Sequence, residues 1–383
     1  MLSQRLQEKL HQRQEEGNLR RLSLSTAQHD FFSNDYLGLA NNQELRQIID
    51  EKYHQLADRR IGATGSRLLS GNSSYAIRLE QKLAKIFRGE AALLFNSGYN
   101  ANSALISCIS QKGDVILFDE LIHASLREGY RLSFANHYSF MHNDLEDLEK
   151  KLQAHQHAPV VFVIIESVYS MDGDNCILKE MLELCQKYNA YPILDEAHST
   201  GIIGEGGCGL ACELGLEQLC FARIYTFGKA IGSHGACVVG SQILINYLIN
   251  FARSFIFSTA APLHNLVSIE SAFDYIMQFP DLQADLKSKI NFYNVYIQQV
   301  QANSSNLRVY FEVASNNLSP IQIIKISGNE NCKKLANCMI DKGFEIRAIL
   351  SPTVKAGEER LRICLHNFNK EQEIKDLIDN LYQ

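Results

Sequence analysis

Six prolines in 383 residues, and no Pro/Gly-rich linker, leave little room for a disordered tract between domains. No apolar run approaches the ~20 residues of a membrane span, so no membrane association is expected. A basic excess is missing too: 37 Lys and Arg face 43 Asp and Glu, a formal charge of -6, which argues against a nucleic-acid partner. The ten cysteines include no Cys-x-x-Cys. Several lie in apolar runs such as Ala236-Cys237-Val238-Val239, as reduced, buried small residues do. The N-terminus has no apolar signal-peptide core. Leu2, Leu6 and Leu10 do fall at helical spacing among Arg5, Lys9 and Arg13, but Glu8, Glu15 and Glu16 oppose a transit peptide. A cytoplasmic chain is expected.

What is present is ordinary for a globular protein: 46% hydrophobic and 21% charged residues, at a length that suggests about two domains. From residue 91 short β-rich runs alternate with helical stretches, the pattern of an α/β sheet covered by helices. The runs are Ala91 to Phe95, Val115 to Asp119, His137 to Met141, Val160 to Glu166, Tyr191 to Asp195, Ile224 to Phe227 and Ala236 to Gly240. Continuous apolar stretches such as Val160-Val161-Phe162-Val163-Ile164-Ile165 indicate strands buried on both faces. The prediction is a seven-stranded, mainly parallel sheet in a large domain over residues 46–270. A smaller α+β domain is expected over 271–383, with strands at Ile321 to Ile326, Phe344 to Leu350 and Arg360 to Leu365. Residues 1–45 form an N-terminal segment that packs with it.

Two patterns point to nucleotides and fail on context. Asp195-Glu196-Ala197-His198 spells a nucleotide-hydrolysis box, yet the chain has no Gly-x-x-x-x-Gly-Lys-[Ser/Thr] loop to cradle a triphosphate. Gly204-x-Gly206-x-x-Gly209 matches a dinucleotide fingerprint but lies nine residues beyond its strand, where the phosphate turn should follow directly.

Asp195, His198 and Thr226-Phe227-Gly228-Lys229 do fit together, each just past a buried strand, at the sheet edge where ligands bind. An acid that ends a hydrophobic strand is costly unless it meets a cation, and a protonated ring nitrogen is one. Lys229, between Gly228 and Gly232, sits on backbone that can approach a ligand closely. Asn96-Ser97-Gly98-Tyr99-Asn100 follows a strand and opens a helix, where backbone N–H groups and the dipole hold phosphate. Thr226, Ser258 and Thr259 offer hydroxyl donors. Taken singly, each has a plain reading: surface lysine, helix cap, strand-to-helix turn. His123 can equally be a core histidine or a ring stacked on a cofactor.

With these motifs the chain resembles the α-oxoamine synthases, pyridoxal-phosphate enzymes that join an amino acid to an acyl thioester with loss of carbon dioxide. The resemblance runs through Ser33-Asn34-Asp35-Tyr36-Leu37-Gly38-Leu39, Gly65-Ser66-Arg67 with Ser70-Gly71, His123-Ala124-Ser125, Ser170-Met171-Asp172-Gly173-Asp174, Asp195-Glu196-Ala197-His198 and Thr226-Phe227-Gly228-Lys229-Ala230. It implies the fold-type I, aspartate aminotransferase-like architecture, usually a homodimer, and no metal. Lys229 would hold the cofactor as a Schiff base, Asp195 would pair with its ring nitrogen and His123 would stack on the ring; these three are the expected catalytic residues. Gly98 and Tyr99 would border the cofactor, Ser170 and His198 meet its ring substituents, and Thr226 bind its phosphate. Ser258 and Thr259 would complete the partner subunit's phosphate site. Arg362 would grip the amino-acid carboxylate, which suits bidentate guanidinium geometry, and Arg20 and Thr353 fall where the acyl substrate binds, a coenzyme A or carrier-protein thioester.

The chain departs from the family at two places. Members often read Arg-Pro-Pro-Thr-Val-Pro where it has Leu350-Ser351-Pro352-Thr353-Val354-Lys355, and a frequent histidine is Ala76. Both leave the cofactor chemistry intact and the acyl donor open. An aminotransferase or retro-aldol lyase on the same fold is the competing reading, and thioester-dependent release of carbon dioxide separates the two.

Overall fold

The computed structural model describes residues 2–22, 24, 27–303 and 319–382. The chain divides into two compact units, Asp35–Ser170 with Asp174–Ala284, and Met1–Asn34 with Met171–Gly173 and Asp285–Gln383.

The first unit is built on seven strands: β1 Ala91–Phe95, β2 Val115–Asp119, β3 Asn136–Phe140, β4 Val161–Glu166, β5 Tyr191–Asp195, β6 Ala222–Thr226 and β7 Ala236–Gly240. Their order is β1-β7-β6-β5-β4-β2-β3. All pairings are parallel except those of β7, which runs antiparallel to both neighbours. Every residue of β1, β2, β4 and β6 is buried, whereas β3, at an edge, exposes Asn136 through Ser139. Apolar runs therefore mark strands covered on both faces, including β1 at the opposite edge, whereas the polar β3 is left open. Four of the seven strands, β1, β2, β5 and β7, have the expected bounds, and β3, β4 and β6 differ by one or two residues. β6 begins at Ala222, ahead of the apolar run, because Arg223 is buried and satisfied: its guanidinium donates to Cys212 Sγ at 3.1 Å and Tyr225 Oη at 2.6 Å.

In the second unit β8 Ile321–Lys325, β9 Arg347–Ile349 and β10 Arg360–Cys364 form an antiparallel sheet in the order β9-β10-β8. The single strand expected at Phe344 to Leu350 is two. Phe344–Glu345 pairs in parallel with His29–Asp30, and the chain changes partner at the fully buried Ile346 to form β9.

The unit boundaries lie at 34 and 284 and not at 45 and 270. Tyr36, Leu37, Leu39 and Leu45 are buried, and Leu39 and Ala40 press against the Gly232 turn. The helix Leu263–Gln278 buries Phe273 edge-on against Phe87 and Phe227, which ties it to the seven-stranded unit. Met171–Gly173 belongs with the second unit because Arg360 forms an ion pair with Asp172, and a side chain on Gly173 (φ 75°) would overlap the carbonyl of Ile321.

Candidate active site

Three parallel neighbours, β2, β4 and β5, end at their carboxyl edge on acids: Asp119, Glu166 and Asp195, with Glu166 and Asp195 directly opposite in register. The next strand, β6, ends on Thr226. Asp195 is 4% exposed. Its Oδ2 accepts from Asn102 Nδ2 at 2.7 Å and its Oδ1 from the Ala197 N–H at 2.9 Å. Among the described residues no cation forms an ion pair with it. A buried carboxylate held only by neutral donors suits a ligand that brings its own cation.

Past β6 the chain turns tightly. The Gly232 N–H donates to the Lys229 carbonyl at 2.8 Å. Gly232 has φ 63°, and a Cβ there would strike the backbone of Leu39 and Ala40, so only glycine fits. Lys229 is partly exposed and its Nζ donates to Thr226 Oγ1 at 3.4 Å. The helix Gly98–Ile109 starts at the same edge, where Ser97 caps it by accepting from the Asn100 N–H at 3.2 Å. A Cβ on Gly98 would lie 2.5 Å from Thr226 Cγ2, so glycine lets the first helical turn settle on Thr226. The N–H groups of that turn have no intrahelical partner, and the dipole favours an anion beside them. Amine, buried acid and phosphate cradle thus lie within one unit, and these donors fit pyridoxal phosphate.

His123 caps the helix Ala124–Leu132. One part of its ring is open, while packing of the rest, together with Lys229 and against the opposing pull of Asp195, holds its proton affinity below the ordinary histidine value. Its backbone N–H donates to Glu166 Oε1. Burial, with Asp195 adding to it, pushes the Glu166 carboxyl well above its usual range. His198 is buried, and its Nδ1 meets Tyr36 Oη at 2.9 Å. Ser170 is buried and Tyr99 half exposed.

Ser258 and Thr259 line a cavity of about 210 Å³ with Asn96 and Arg67, and Asn96 Nδ2 donates to the Thr259 carbonyl at 2.7 Å. Arg20, Thr353 and Arg362 belong to the other unit. Arg20 and Thr353 are exposed, and Arg362, 9% exposed on β10, donates to Asn34 Oδ1 at 3.0 Å and Cys364 Sγ at 2.9 Å. The Gly204 to Gly209 loop owes its glycines to backbone geometry: Gly204, Gly206, Gly207 and Gly209 all have positive φ. Glu196 accepts from Leu210 N and Ala211 N beyond the loop, so its carboxylate is engaged by the first turn of the following helix.

Sequence reasoning missed Asn102, Glu166 and Tyr36. It also missed His142, whose Nδ1 lies 3.0 Å from Asp119 and whose Nε2 lies 2.7 Å from Asp174. Burial alone would weaken its hold on a proton, but the two carboxylates outweigh that and push its pKa up to about 10. Because the folded value exceeds the unfolded ~6.5, this stabilisation is complete below pH ~6.5 and is lost as pH rises through about 10. We expect His142→Gln to lower stability at pH 7 by about 3 kcal/mol, a gap that narrows as pH approaches 10. Paired denaturant titrations of the cofactor-free proteins measure it. A gap that stays constant with pH would show that His142 is not a charged clamp.

The sequence profile of the aminotransferase class I and II family matches residues 26–381. Together with the fold and site, this defines a fold-type I pyridoxal-phosphate enzyme. The chain belongs to that family and, within it, to the α-oxoamine synthases. It is 38% identical to 8-amino-7-oxononanoate synthase of Emericella nidulans, over 98% of this chain and 94% of that one. Among solved structures, 8-amino-7-oxononanoate synthase from Francisella tularensis superposes with a TM-score of 0.77 at 26% identity, over 93% of this chain and 97% of that one. A serine palmitoyltransferase solved with its pyridoxal-phosphate internal aldimine gives 0.84 at 25% identity, over 92% and 86%. Among the described residues no helix is long and apolar enough to cross a membrane.

Proposed function

We propose that the chain condenses L-alanine with a pimeloyl thioester to form 8-amino-7-oxononanoate for biotin synthesis, and that it works in the cytoplasm as a homodimer. The observation that carries this reading is the convergence of Lys229, Thr226 and Gly98 with the buried Asp195 at one sheet edge, in a chain 38% identical to an enzyme of that name. All ten cysteines are free thiols, which fits a reducing compartment.

Pyridoxal phosphate, when bound, supplies an electron sink for the charge that develops at the alanine Cα. Lys229 would bind its aldehyde carbon, Asp195 its ring nitrogen, and Thr226 with the helix start at Gly98 its phosphate. Ser258 and Thr259 add donors to the partner's phosphate. Tyr99 borders the ring, and Ser170 and His198 meet its substituents. Displaced by the amino group of the alanine, the freed Lys229 Nζ would remove the α-proton, for which its reference pKa of ~10.4 must be lowered. Asp195 keeps a proton on the ring nitrogen, His123 limits tilt of the ring, and Arg362 holds the amino-acid carboxylate as a bidentate pair. A C–C bond forms between the alanine Cα and the acyl carbonyl carbon as the C–S bond breaks and releases the thiolate, which takes a proton from solvent. The Cα–carboxylate bond breaks next, carbon dioxide leaves, and Lys229 returns a proton to Cα.

Mass spectrometry of products from a panel of amino acids and acyl thioesters tests this function. Alanine should be preferred over glycine by tens- to hundreds-fold at most, because one methyl group is worth only ~1–3 kcal/mol. Leu350 removes one cation from the acyl region, which leaves Arg20 as the candidate for the distal pimeloyl carboxylate. Arg20→Ala should then weaken use of the pimeloyl donor far more than use of an uncharged chain of similar length. Equal losses on the two donors would remove Arg20 from the role, and a preference for glycine with acetyl-coenzyme A would reject the pimeloyl reading. The active species should sediment as a dimer; a fully active monomer would release Ser258 and Thr259 from theirs.

A further inference from the structure

We propose that Asn102 and Ser125 are positioning residues that lock His123 as its Nε2–H tautomer, which makes the ring a hydrogen-bond donor and leaves proton abstraction to Lys229. The catalytic consequence rests on the reading that His123 lies against the cofactor; the tautomer does not.

The chemistry of the donors fixes the direction of each bond. A backbone N–H can only donate, and the Ser125 N–H reaches His123 Nδ1 at 3.2 Å, so that nitrogen presents a lone pair. Ser125 Oγ lies 2.8 Å from the same Nδ1. On its other side Ser125 Oγ is 2.9 Å from Asn102 Nδ2, which is also 2.7 Å from Asp195 Oδ2. A carboxylate only accepts, so the amide group facing Asp195 is the NH₂, and that NH₂ also donates to Ser125 Oγ. The Ser125 hydroxyl proton is then directed to Nδ1. Polarity runs one way, from Asn102 through Ser125 to His123.

A second observation supports the assignment. Asn102 is 2% exposed, and its Oδ1 is buried without a hydrogen-bond partner. Turning the amide over would pair that oxygen with the Ser125 hydroxyl but set it against the Asp195 carboxylate. The fold leaves a buried carbonyl oxygen unsatisfied, normally disfavoured, so as to keep both donors on one nitrogen. Three ionisable groups surround the ring: Asp195, Lys229 and Glu166, the last gripping the His123 backbone N–H. The net effect of packing and these charges is a ring that is neutral at pH 7, so its proton resides on Nε2.

Long-range ¹H–¹⁵N spectra of the full-length protein, labelled in its histidine rings and assigned with His123→Gln, test the lock with and without pyridoxal 5′-phosphate. Wild type should show an unprotonated Nδ1 and a protonated Nε2 for His123. In Ser125→Ala and Asn102→Ala only the longer bond from the backbone N–H of residue 125 still favours the Nε2–H form, so a measurable share of the other tautomer should appear, and Ser125→Thr, which keeps the hydroxyl, should restore the wild-type pattern. In the holoenzyme Ser125→Ala should lower kcat about tenfold, the worth of one neutral hydrogen bond, with KM within about twofold, and Ser125→Thr should recover it. A protonated Nδ1 in wild type overturns the proposal, and so does a Ser125→Ala protein that keeps either the wild-type tautomer or the wild-type kcat. The wild-type spectrum decides the tautomer even if a variant fails to fold. The placement of His123 fails separately, if His123→Ala binds pyridoxal 5′-phosphate with wild-type affinity.

Discussion

Lys229→Ala should abolish turnover, with a loss of more than about 10⁴-fold, because one side chain is asked to do two jobs. Lys229 Nζ would both hold the cofactor and move the α-proton, and Thr226 Oγ1, which it reaches at 3.4 Å, is a hydroxyl that cannot form the imine. The buried acid and the helix start at Gly98 remain in the variant, so it should still take up pyridoxal phosphate, without the covalent bond. Stability should change little, since Lys229 is partly exposed and a replacement away from the packed core usually costs within about 0.5 kcal/mol. Single-turnover kinetics with an excess of variant check the loss. Residual activity within about 100-fold of wild type would show that another group removes the proton.

Asp195→Asn should cost about 10²–10⁴-fold in kcat while the protein stays folded. The asparagine has the shape of the aspartate but no charge to hold a proton on the ring nitrogen, so the bound cofactor becomes a weaker electron sink. Around it the wild-type acid accepts two hydrogen bonds, from Asn102 Nδ2 and the Ala197 N–H. An amide can accept only one of them on its oxygen, which should lower stability by about 1 kcal/mol. A large kinetic loss with a small change in melting temperature is therefore the expected pair of results. Unfolding would instead mean that the acid is structural, and unchanged kcat would remove it from the ring nitrogen.

The sheet and the centre of the site were legible for one physical reason. A strand covered on both faces must be apolar along its length, so its ends stand out, and an acid or lysine at such an end is conspicuous. That reasoning found Asp195 after Tyr191-Pro192-Ile193-Leu194 and Lys229 after β6. It applies equally to Glu166 and Asp119, which end β4 and β2, and following it there would have exposed both the backbone grip on His123 and the His142 clamp. Arg223 hid the start of β6 because its partners, Cys212 and Tyr225, are visible only in three dimensions.

Asn102 carried no local signal. It lies in the helix Gly98–Ile109 between Ala101 and Ser103, and its meaning comes from Asp195, 93 residues away, and from Ser125. The domain limits were obscured by continuity of chain. The helix Asp281–Asn303 runs through the division at 284 without proline or glycine to mark it.

The central claim is that this chain holds pyridoxal phosphate on Lys229. Borohydride reduction of the yellow holoenzyme, followed by proteolysis and mass mapping, measures it directly. The account predicts loss of the yellow colour and a single pyridoxyl-phosphate adduct on the peptide containing Thr226-Phe227-Gly228-Lys229-Ala230. An adduct on any other lysine, or no adduct in a protein that carries the cofactor, would contradict it.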